Sequence, residues 1–98
     1  MQINYPYKNV DFFLLEKRGE TKQFIYYKVT WYEKGVMHEH LIDYDKTEPE
    51  LNKRLKHCDC SFCSMWGIES EKWCIVKKVV ASVMVKEGLL DPVMKEWL

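Results

Sequence analysis

The first half of the chain carries hydrophobic patterns that are typical of β-strands. The apolar run inside Val10–Lys17 predicts a covered strand, and Arg18–Thr21 predicts the turn after it. Phe24–Tyr32 alternates between apolar and more polar positions, as a half-buried strand does. Lys34–Gly35 predicts a two-residue hairpin turn, so that Val36–Asp43 becomes the returning strand. We therefore expect a three-stranded antiparallel meander.

A short helix is predicted directly after this sheet. Thr47 can cap a helix, Glu50 can complete a capping box, and Pro49 needs no amide partner in a first turn. Leu51 and Leu55 lie four positions apart, which gives this short helix a thin apolar stripe.

A longer helix is predicted in the C-terminal part, beginning after Ser70 and ending at Gly88, a residue that suits a left-handed helix end. Lys77 and Lys78 fall on the side that we expect to face solvent. The many valines also suit a strand, which leaves that alternative open. The apolar positions with helical spacing are Trp73, Val76, Val80 and Val83.

The chain length allows one domain over residues 1–98, with a sheet in 1–45 and a cysteine-rich loop and helices in 46–98. The expected fold class is α+β: a small three-stranded antiparallel sheet, a short helix, the cysteine-rich loop and a longer C-terminal helix. Hydrophobic residues make up 47% of the 98, which favours a globular chain. A chain this short buries a modest core, so a metal, a disulfide or a partner chain would add needed stability.

Charge and motif content narrow the function classes. The formal net charge is zero, which is unlike a protein that binds nucleic acid through bulk positive charge. The N-terminus lacks the features of a secretory signal, and Val79–Val85 is too short to span a bilayer, so we expect an intracellular location and no membrane. Asn and Gln are scarce, which leans toward a heat-adapted, thermostable protein. No glycine-rich phosphate loop, nucleophile elbow or carboxylate pair stands out, so we expect no enzyme activity.

All four cysteines of the chain fall within seventeen residues. Zinc takes four nitrogen or sulfur ligands in a tetrahedron, commonly from a tight loop and a following element. A thiol in a first helical turn also benefits from the helix dipole, which favours the thiolate. The predicted metal ligands are Cys58, Cys60, Cys63 and Cys74.

The cysteine region resembles the SWIM-type zinc finger. The segment Cys58–Phe62, followed by Cys74 and a predicted helix, is similar to that family's pattern of Cys-x-Cys, a spacer and Cys-x-His opening a helix. The resemblance covers about residues 57–85 and implies that Cys58, Cys60 and Cys74 bind zinc. Val76 stands at the histidine position, so the fourth ligand would be Cys63 or His57. The resemblance also implies DNA binding or a regulatory protein interaction.

Three other interpretations of the cysteines stay open. A degenerate finger can hold disulfides in place of zinc, as intracellular proteins of heat-adapted organisms do. The thiols can also pack as small hydrophobic groups. Cys60 and Cys63 have thioredoxin-like spacing, but the chain lacks the βαβ context of that redox site.

Two histidines and a basic segment are further candidates for a site. His38 and His40 share one face of the third strand and are expected opposite Trp31 and Val29, where they could share a metal or simply form a half-exposed sheet surface. The basic side chains could hold phosphates or form a solvated helix face. The candidate nucleic-acid contacts are Lys53, Arg54, Lys56, Lys77 and Lys78.

The aromatic residues of the sheet suggest a different partner. They would crowd both faces, so that one face forms the core and the other a partner surface, for example that of a homodimer. The alternative function is therefore a dimeric, metal-free accessory protein, for example a viral one, whose cysteines form disulfides. These aromatic positions are Phe12, Phe13, Tyr26, Tyr27, Trp31 and Tyr32.

Overall fold

A computed structural model describes residues 1–50, 53–59 and 74–87 of the protein. These residues form an antiparallel sheet and one helix, so the fold is mixed α+β. The elements are β1 (Gln2–Ile3), β2 (Phe13–Glu20), β3 (Phe24–Glu33), β4 (Val36–Asp45), β5 (Leu55–Lys56) and α1 (Ile75–Lys86).

The five strands lie in the order β1-β2-β3-β4-β5, and every neighbouring pair is antiparallel. The predicted meander is confirmed as β2, β3 and β4, but a sheet of only three strands is wrong. Two two-residue strands at its edges escape prediction because a segment this short has no hydrophobic period.

The predicted hairpin turn at Lys34–Gly35 is confirmed. Both residues have positive φ, at 53° and 76° respectively, which is the backbone of a two-residue turn that follows the twist of the strands. The turn fixes the register, with Glu33 opposite Val36 and the pairing continuing without interruption to Phe24 opposite Asp45.

Alternation along the strands separates a core face from an outer face. Phe13, Val29 and Ile42 point to the core face and are fully buried. Leu14 and Leu41, each one position away from a core residue, are exposed on the outer face. Helix α1 contributes a second buried layer, and its buried residues join the strand residues in one hydrophobic cluster.

The bounds, the following turn and the expected coverage of the first predicted strand are wrong. Strand β2 begins at Phe13 and extends to Glu20, with an irregularity between Lys17 and Gly19, so the chain does not turn at Arg18. The turn lies at 21–23, where Thr21 Oγ1 accepts hydrogen bonds from the amides of Gln23 (3.2 Å) and Phe24 (2.9 Å). The run from Phe12 to Leu15 is half covered, because it alternates between the two faces.

The predicted short helix after the sheet is wrong in its extent within the described residues. Residues 49–50 form a bend, and Lys53 lies in a 3₁₀ turn, where its amide donates to the Glu50 carbonyl at 2.9 Å. Leu55 lies in β5, opposite Tyr44 of β4. Thr47 and Glu50 match the sequence pattern of a helix N-terminus. Pairing with β4 buries Leu55 in the core, however, and this burial outweighs the local preference for a helix. Residues 51–52 lie outside the described part.

The longer predicted helix is confirmed as α1, although its start is wrong. Cys74 has extended backbone angles and acts as the N-cap, so the helix begins at Ile75 and does not run back toward Ser70. Val76, Val80 and Val83 are buried as their spacing predicts. Gly88, the predicted end, and Trp73 lie outside the described residues.

Lys77 corrects the prediction about the polar side of this helix. Its exposed fraction is 3%, whereas the sequence pattern placed it toward solvent beside Lys78. Eight of the twelve helix residues are buried, so the covered surface of α1 extends beyond the side that carries Val76, Val80 and Val83.

Candidate metal centre

Cys58 reaches the core through a sharp change of backbone direction. Strand β5 ends at Lys56, and His57 then takes a left-handed conformation with φ of 57°. This conformation is uncommon for residues other than glycine, so the surrounding contacts must hold it. The Cys58 side chain is buried directly after it.

Two histidine–carboxylate pairs hold the residues on either side of Cys58 against β4. His57 Nδ1 lies 2.8 Å from Asp43 Oδ2, and His40 Nδ1 lies 3.2 Å from Asp59 Oδ1. Asp59 also exchanges two hydrogen bonds with Leu41: its Oδ1 accepts from the Leu41 amide at 3.0 Å, and its own amide donates to the Leu41 carbonyl at 3.2 Å. Cys58 is therefore fixed to the sheet from both sides.

Cys74 is placed by the beginning of α1. Its Sγ accepts a hydrogen bond from the Lys77 amide at 3.5 Å, and its carbonyl accepts from the Lys78 amide at 3.1 Å. The sulfur therefore occupies the position that a serine or aspartate oxygen takes in an ordinary N-cap. An amide donor and the positive end of the helix dipole both favour a thiolate at this position.

The sulfurs of Cys58 and Cys74 lie 3.7 Å apart, and both are buried. In a tetrahedral zinc site with Zn–S bonds of about 2.3 Å, neighbouring sulfurs lie about 3.8 Å apart. A disulfide needs about 2.05 Å, so these two sulfurs are not bonded to each other. The distance fits one edge of a zinc–thiolate tetrahedron.

The structure thus brings together two of the four predicted metal ligands. Cys60 and Cys63 lie outside the described residues. Within the ranges 1–50, 53–59 and 74–87, no group of three or more His, Cys, Asp or Glu side chains is close enough to hold a metal ion. His57 therefore does not join the two thiols, and its ring is largely exposed beside Asp43.

The predicted histidine pair lies where the register places it. His38 is opposite Trp31 and stacks on its indole ring at 5.1 Å, with an angle of 12° between the rings. His40 is opposite Val29, and its Nδ1 faces Asp59. His38 therefore packs on the sheet, and His40 contacts the segment that carries Cys58. Neither one belongs to a group of metal-binding side chains within the described residues.

The structure gives several of the predicted nucleic-acid contacts partners within the protein. Arg54 donates from Nη1 to the Tyr44 hydroxyl and from Nε to the Glu48 carbonyl, each at 2.9 Å. Lys77 is buried in α1. Lys53 is exposed and lies 3.4 Å from a carboxylate oxygen of Glu50.

Lys56, another of these candidates, is neutralised by two carboxylates. Its ammonium lies 3.0 Å from Asp45 Oδ2 and 2.8 Å from Glu48 Oε2. The hydrogen bonds to Glu48 and Asp45 raise the pKa of Lys56, and the bond from Lys56 is the largest cause that lowers the pKa of Glu48. Burial by itself raises the pKa of Asp45, but hydrogen bonds from Lys56 and Thr47 outweigh it and hold that pKa well below its ordinary range.

Sequence reasoning missed the carboxylates that organise this region. Asp43, Asp45 and Asp59 are absent from the predicted site residues, whereas each accepts hydrogen bonds that fix the chain around β5 and Cys58. Asp59 is the middle residue of the Cys-x-Cys motif, which was the one available signal that it lies at the site. Its partners are separated from it by 18 or 19 positions and could not be identified from local patterns.

Comparison with known proteins gives no family assignment. No family model, no curated protein and no solved structure matches this chain. No helix in the described part is long and apolar enough to cross a membrane. The functional inference therefore rests on the geometry around Cys58 and Cys74.

Proposed function

We propose that the protein is a small, non-enzymatic interaction module with a structural zinc site. Cys58 and Cys74 supply two thiolates, and Cys60 and Cys63 complete the set. The observation that carries this proposal is the 3.7 Å separation of two buried sulfurs that lie sixteen positions apart in sequence. Zinc bound there would link the sheet to the helix and add the stability that a core of this size lacks.

The surroundings of the sulfurs support zinc over packed thiols. Cys74 sits at a helix N-terminus and receives an amide hydrogen bond, so its environment favours negative charge on the sulfur. The backbone at Cys58 is held on both sides by histidine–carboxylate contacts. Such preorganisation is typical of a ligand whose position matters, because metal sites need their ligands oriented by outer contacts.

A disulfide between Cys58 and Cys74 is the second candidate for this site. The same proximity supports it, because a closure of under about 2 Å would bring the sulfurs to bonding distance. Zinc is favoured because the observed separation already matches the tetrahedral edge. This proposal places the protein in a reducing, intracellular compartment, where thiolates persist.

A protein partner fits the structure better than DNA. Of the five basic candidates, Lys77 is buried, and Arg54 and Lys56 are held by neighbouring groups. A phosphate would have to compete with Asp45 and Glu48 for Lys56. Among the five candidates, Lys53 and Lys78 are left for contact with phosphate, and two cations contribute little charge-driven affinity.

Two measurements test this proposal. Removal of metal by a strong chelator under reducing conditions should lower the Tm, and added zinc should restore it. If the Tm is unchanged by chelator but falls with reductant, the site holds a disulfide. Binding to a short DNA duplex should be absent or weak at low salt, and tight binding that weakens steeply with added salt would favour the nucleic-acid role.

A further inference from the structure

Within the part of the chain that the structure describes, the sheet has two partly uncovered edges, and they differ in composition and shape. Strand β1 pairs with the beginning of β2, at Phe13 and Leu14. Strand β5 pairs with the end of β4, at Asp43 and Tyr44. Most of the remainder of each long strand has no strand partner among the described residues, so a further strand could pair with it.

The open part of β2 carries the features by which proteins protect a sheet edge. Glu16, Lys17, Arg18 and Glu20 are charged, and the register shifts between Lys17 and Gly19. Clustered charge and a bulge both prevent regular pairing with another strand. This edge is therefore closed to strand addition by its sequence.

The open part of β4 lacks this protection. From Val36 to His40 it is regular against β3, and Glu39 is its only acidic residue. Val36 and Met37 are 57% and 53% exposed, and Tyr32 beside them on β3 is 60% exposed. In other proteins, a regular edge strand with exposed apolar side chains is usually covered by another element or by a partner.

The pairing on the covered part of β4 shows which backbone groups are available. Leu41 exchanges hydrogen bonds with Asp59, and the Asp45 amide donates to the Arg54 carbonyl, so these odd-numbered residues face away from β3. Alternation in an antiparallel strand gives Met37 and Glu39 the same direction. No described residue pairs with the backbone of either one.

We propose that the Val36–His40 edge of β4 pairs antiparallel with the same edge of a second copy of this chain. The two-fold axis passes beside His38, so that Met37 of each copy lies opposite Glu39 of the other. Both residues present an amide and a carbonyl outward, and this register uses all of them in four hydrogen bonds. The two sheets join into one ten-stranded sheet.

Charge and symmetry favour a second copy as the occupant. The register keeps the two Glu39 carboxylates from lying directly opposite, and each already lies 3.3 Å from Lys28 of its own chain. Pairing of β4 with β4 is closed after two copies, because the same surface is used twice. Addition of β4 to β2 would give open fibres, and the charged, irregular β2 edge opposes it.

The Val36–His40 edge carries no cysteine, and it meets the proposed metal site only at His40, which contacts Asp59. The mass of the chain in solution is a readout separate from bound metal, so failure of the dimer and failure of the zinc site can be told apart. The edge is short, so we expect a weak dimer that dissociates on dilution.

The test is the mass of the full chain in solution across a dilution series, measured by light scattering on a sizing column. The unmodified protein should pass from twice 11.9 kDa at high concentration to 11.9 kDa on dilution. Met37→Pro removes an amide that faces away from β3, so the β3–β4 ladder keeps its bonds while the dimer loses two of four. This variant should be monomeric at every concentration.

Lys17→Pro is the matched control. The Leu15 amide donates to the Met1 carbonyl and so points away from β3. The Lys17 amide, two positions later, points in the same direction, so proline there also leaves the β2–β3 ladder intact. It places the same ring on the other open edge and should dimerise like the unmodified protein. Amide exchange of Met37 and Glu39 in the unmodified protein provides a second readout that needs no variant. Their exchange should slow at least about tenfold at high concentration. A monomer at all concentrations, or a dimer in which these two amides exchange equally fast at both concentrations, would overturn the proposal.

Discussion

The Sγ atoms of Cys58 and Cys74 meet at 3.7 Å, where the end of β5 and the N-terminus of α1 come together. Cys58 is held to the sheet through its neighbours, and Cys74 belongs to the helix cap. A bond through these sulfurs therefore joins the two layers of the fold. The stability of the helix against the sheet should depend on what links them.

Cys74→Ser separates the role of the sulfur as a ligand from its role as a cap. Serine is a better N-cap than most residues, so the helix start is preserved while the thiolate is lost. We expect loss of bound zinc and a destabilisation of at least about 3 kcal/mol, which for a domain of this size is more than about 10 °C in Tm. Thermal unfolding followed by circular dichroism measures it.

Cys58→Ser provides the comparison, since it removes the partner sulfur and leaves the cap untouched. The two variants and the double variant should have similar Tm values, because each one abolishes the same site. Additive losses in the double variant would mean that the two sulfurs act independently as packed thiols.

Asp59 should control how well Cys58 is positioned. Asp59→Ala removes the contacts with His40 and the Leu41 amide, so the segment around Cys58 loses its attachment to β4. We expect zinc affinity to fall about tenfold, as for other residues that orient metal ligands. Competition with a chromophoric chelator measures this affinity.

Asp59→Asn is the control for this prediction. Its side-chain oxygen can still accept from the Leu41 amide, whereas the charge opposite His40 is gone. Affinity close to that of the unmodified protein would assign the effect to the Leu41 hydrogen bond. Equal loss in both variants would assign it to the charge, and no loss in either would remove Asp59 from the site.

The sequence predicts contacts in this region when the two residues are close together along the chain, and it misses those between distant segments. His38 opposite Trp31 is predicted correctly because the Lys34–Gly35 turn sets the register of the hairpin over a few residues. The pairing of His40 with Asp59 joins β4 to a segment beyond β5, and no local pattern contains that information. The proximity of Cys58 and Cys74 follows from the motif, while their burial follows only from the fold.

Stability should fall with acid as two carboxylates lose their charge. The hydrogen bonds from Lys17 and Lys46 lower the pKa of Glu20 from its ordinary value of 4.5 to about 2, and the pKa of Asp45 is also lowered. A carboxyl whose pKa is lower in the folded state stabilises fully above its unfolded pKa and loses that contribution as the pH falls toward the folded pKa. The Tm should therefore decrease from about pH 4.5 toward about pH 2.

Asp45→Asn tests which carboxylate contributes to this pH dependence. Asparagine retains the shape of the aspartate side chain, but it carries no charge beside Lys56 at any pH. The Tm at neutral pH should therefore be lower than that of the unmodified protein, and the decrease of Tm with acid should be shallower. An unchanged slope would show that Asp45 does not contribute. Glu20→Gln, beside the turn of the β2–β3 hairpin, provides the same test for the second group.

Neighbouring residues on β4 test the assignment of the two sheet faces. Ile42 is fully buried and Leu41 is exposed, although both are aliphatic and adjacent. Ile42→Ala should cost about 2–5 kcal/mol, because it removes buried methyl groups and leaves a cavity, whereas Leu41→Ala should cost under about 1 kcal/mol. Urea unfolding of both variants measures the difference, and similar losses would contradict the assignment.

Two failed predictions show the limit of local patterns. Leu55 and Lys56 come after a helix-start pattern, yet two backbone pairs with Asp43 and Tyr44 place them in a strand. This pairing joins segments that are more than ten residues apart, so no local pattern contains it. Lys77 was assigned to solvent as a polar residue, yet it is buried in α1.

The most direct test of the proposed zinc site is the native mass of the protein purified under reducing conditions without chelator, followed by its denatured mass without reductant. We expect a native mass higher by one zinc ion and a denatured mass that matches fully reduced thiols. A native mass without metal, together with a denatured mass lower by the two hydrogens lost in each disulfide, would contradict it.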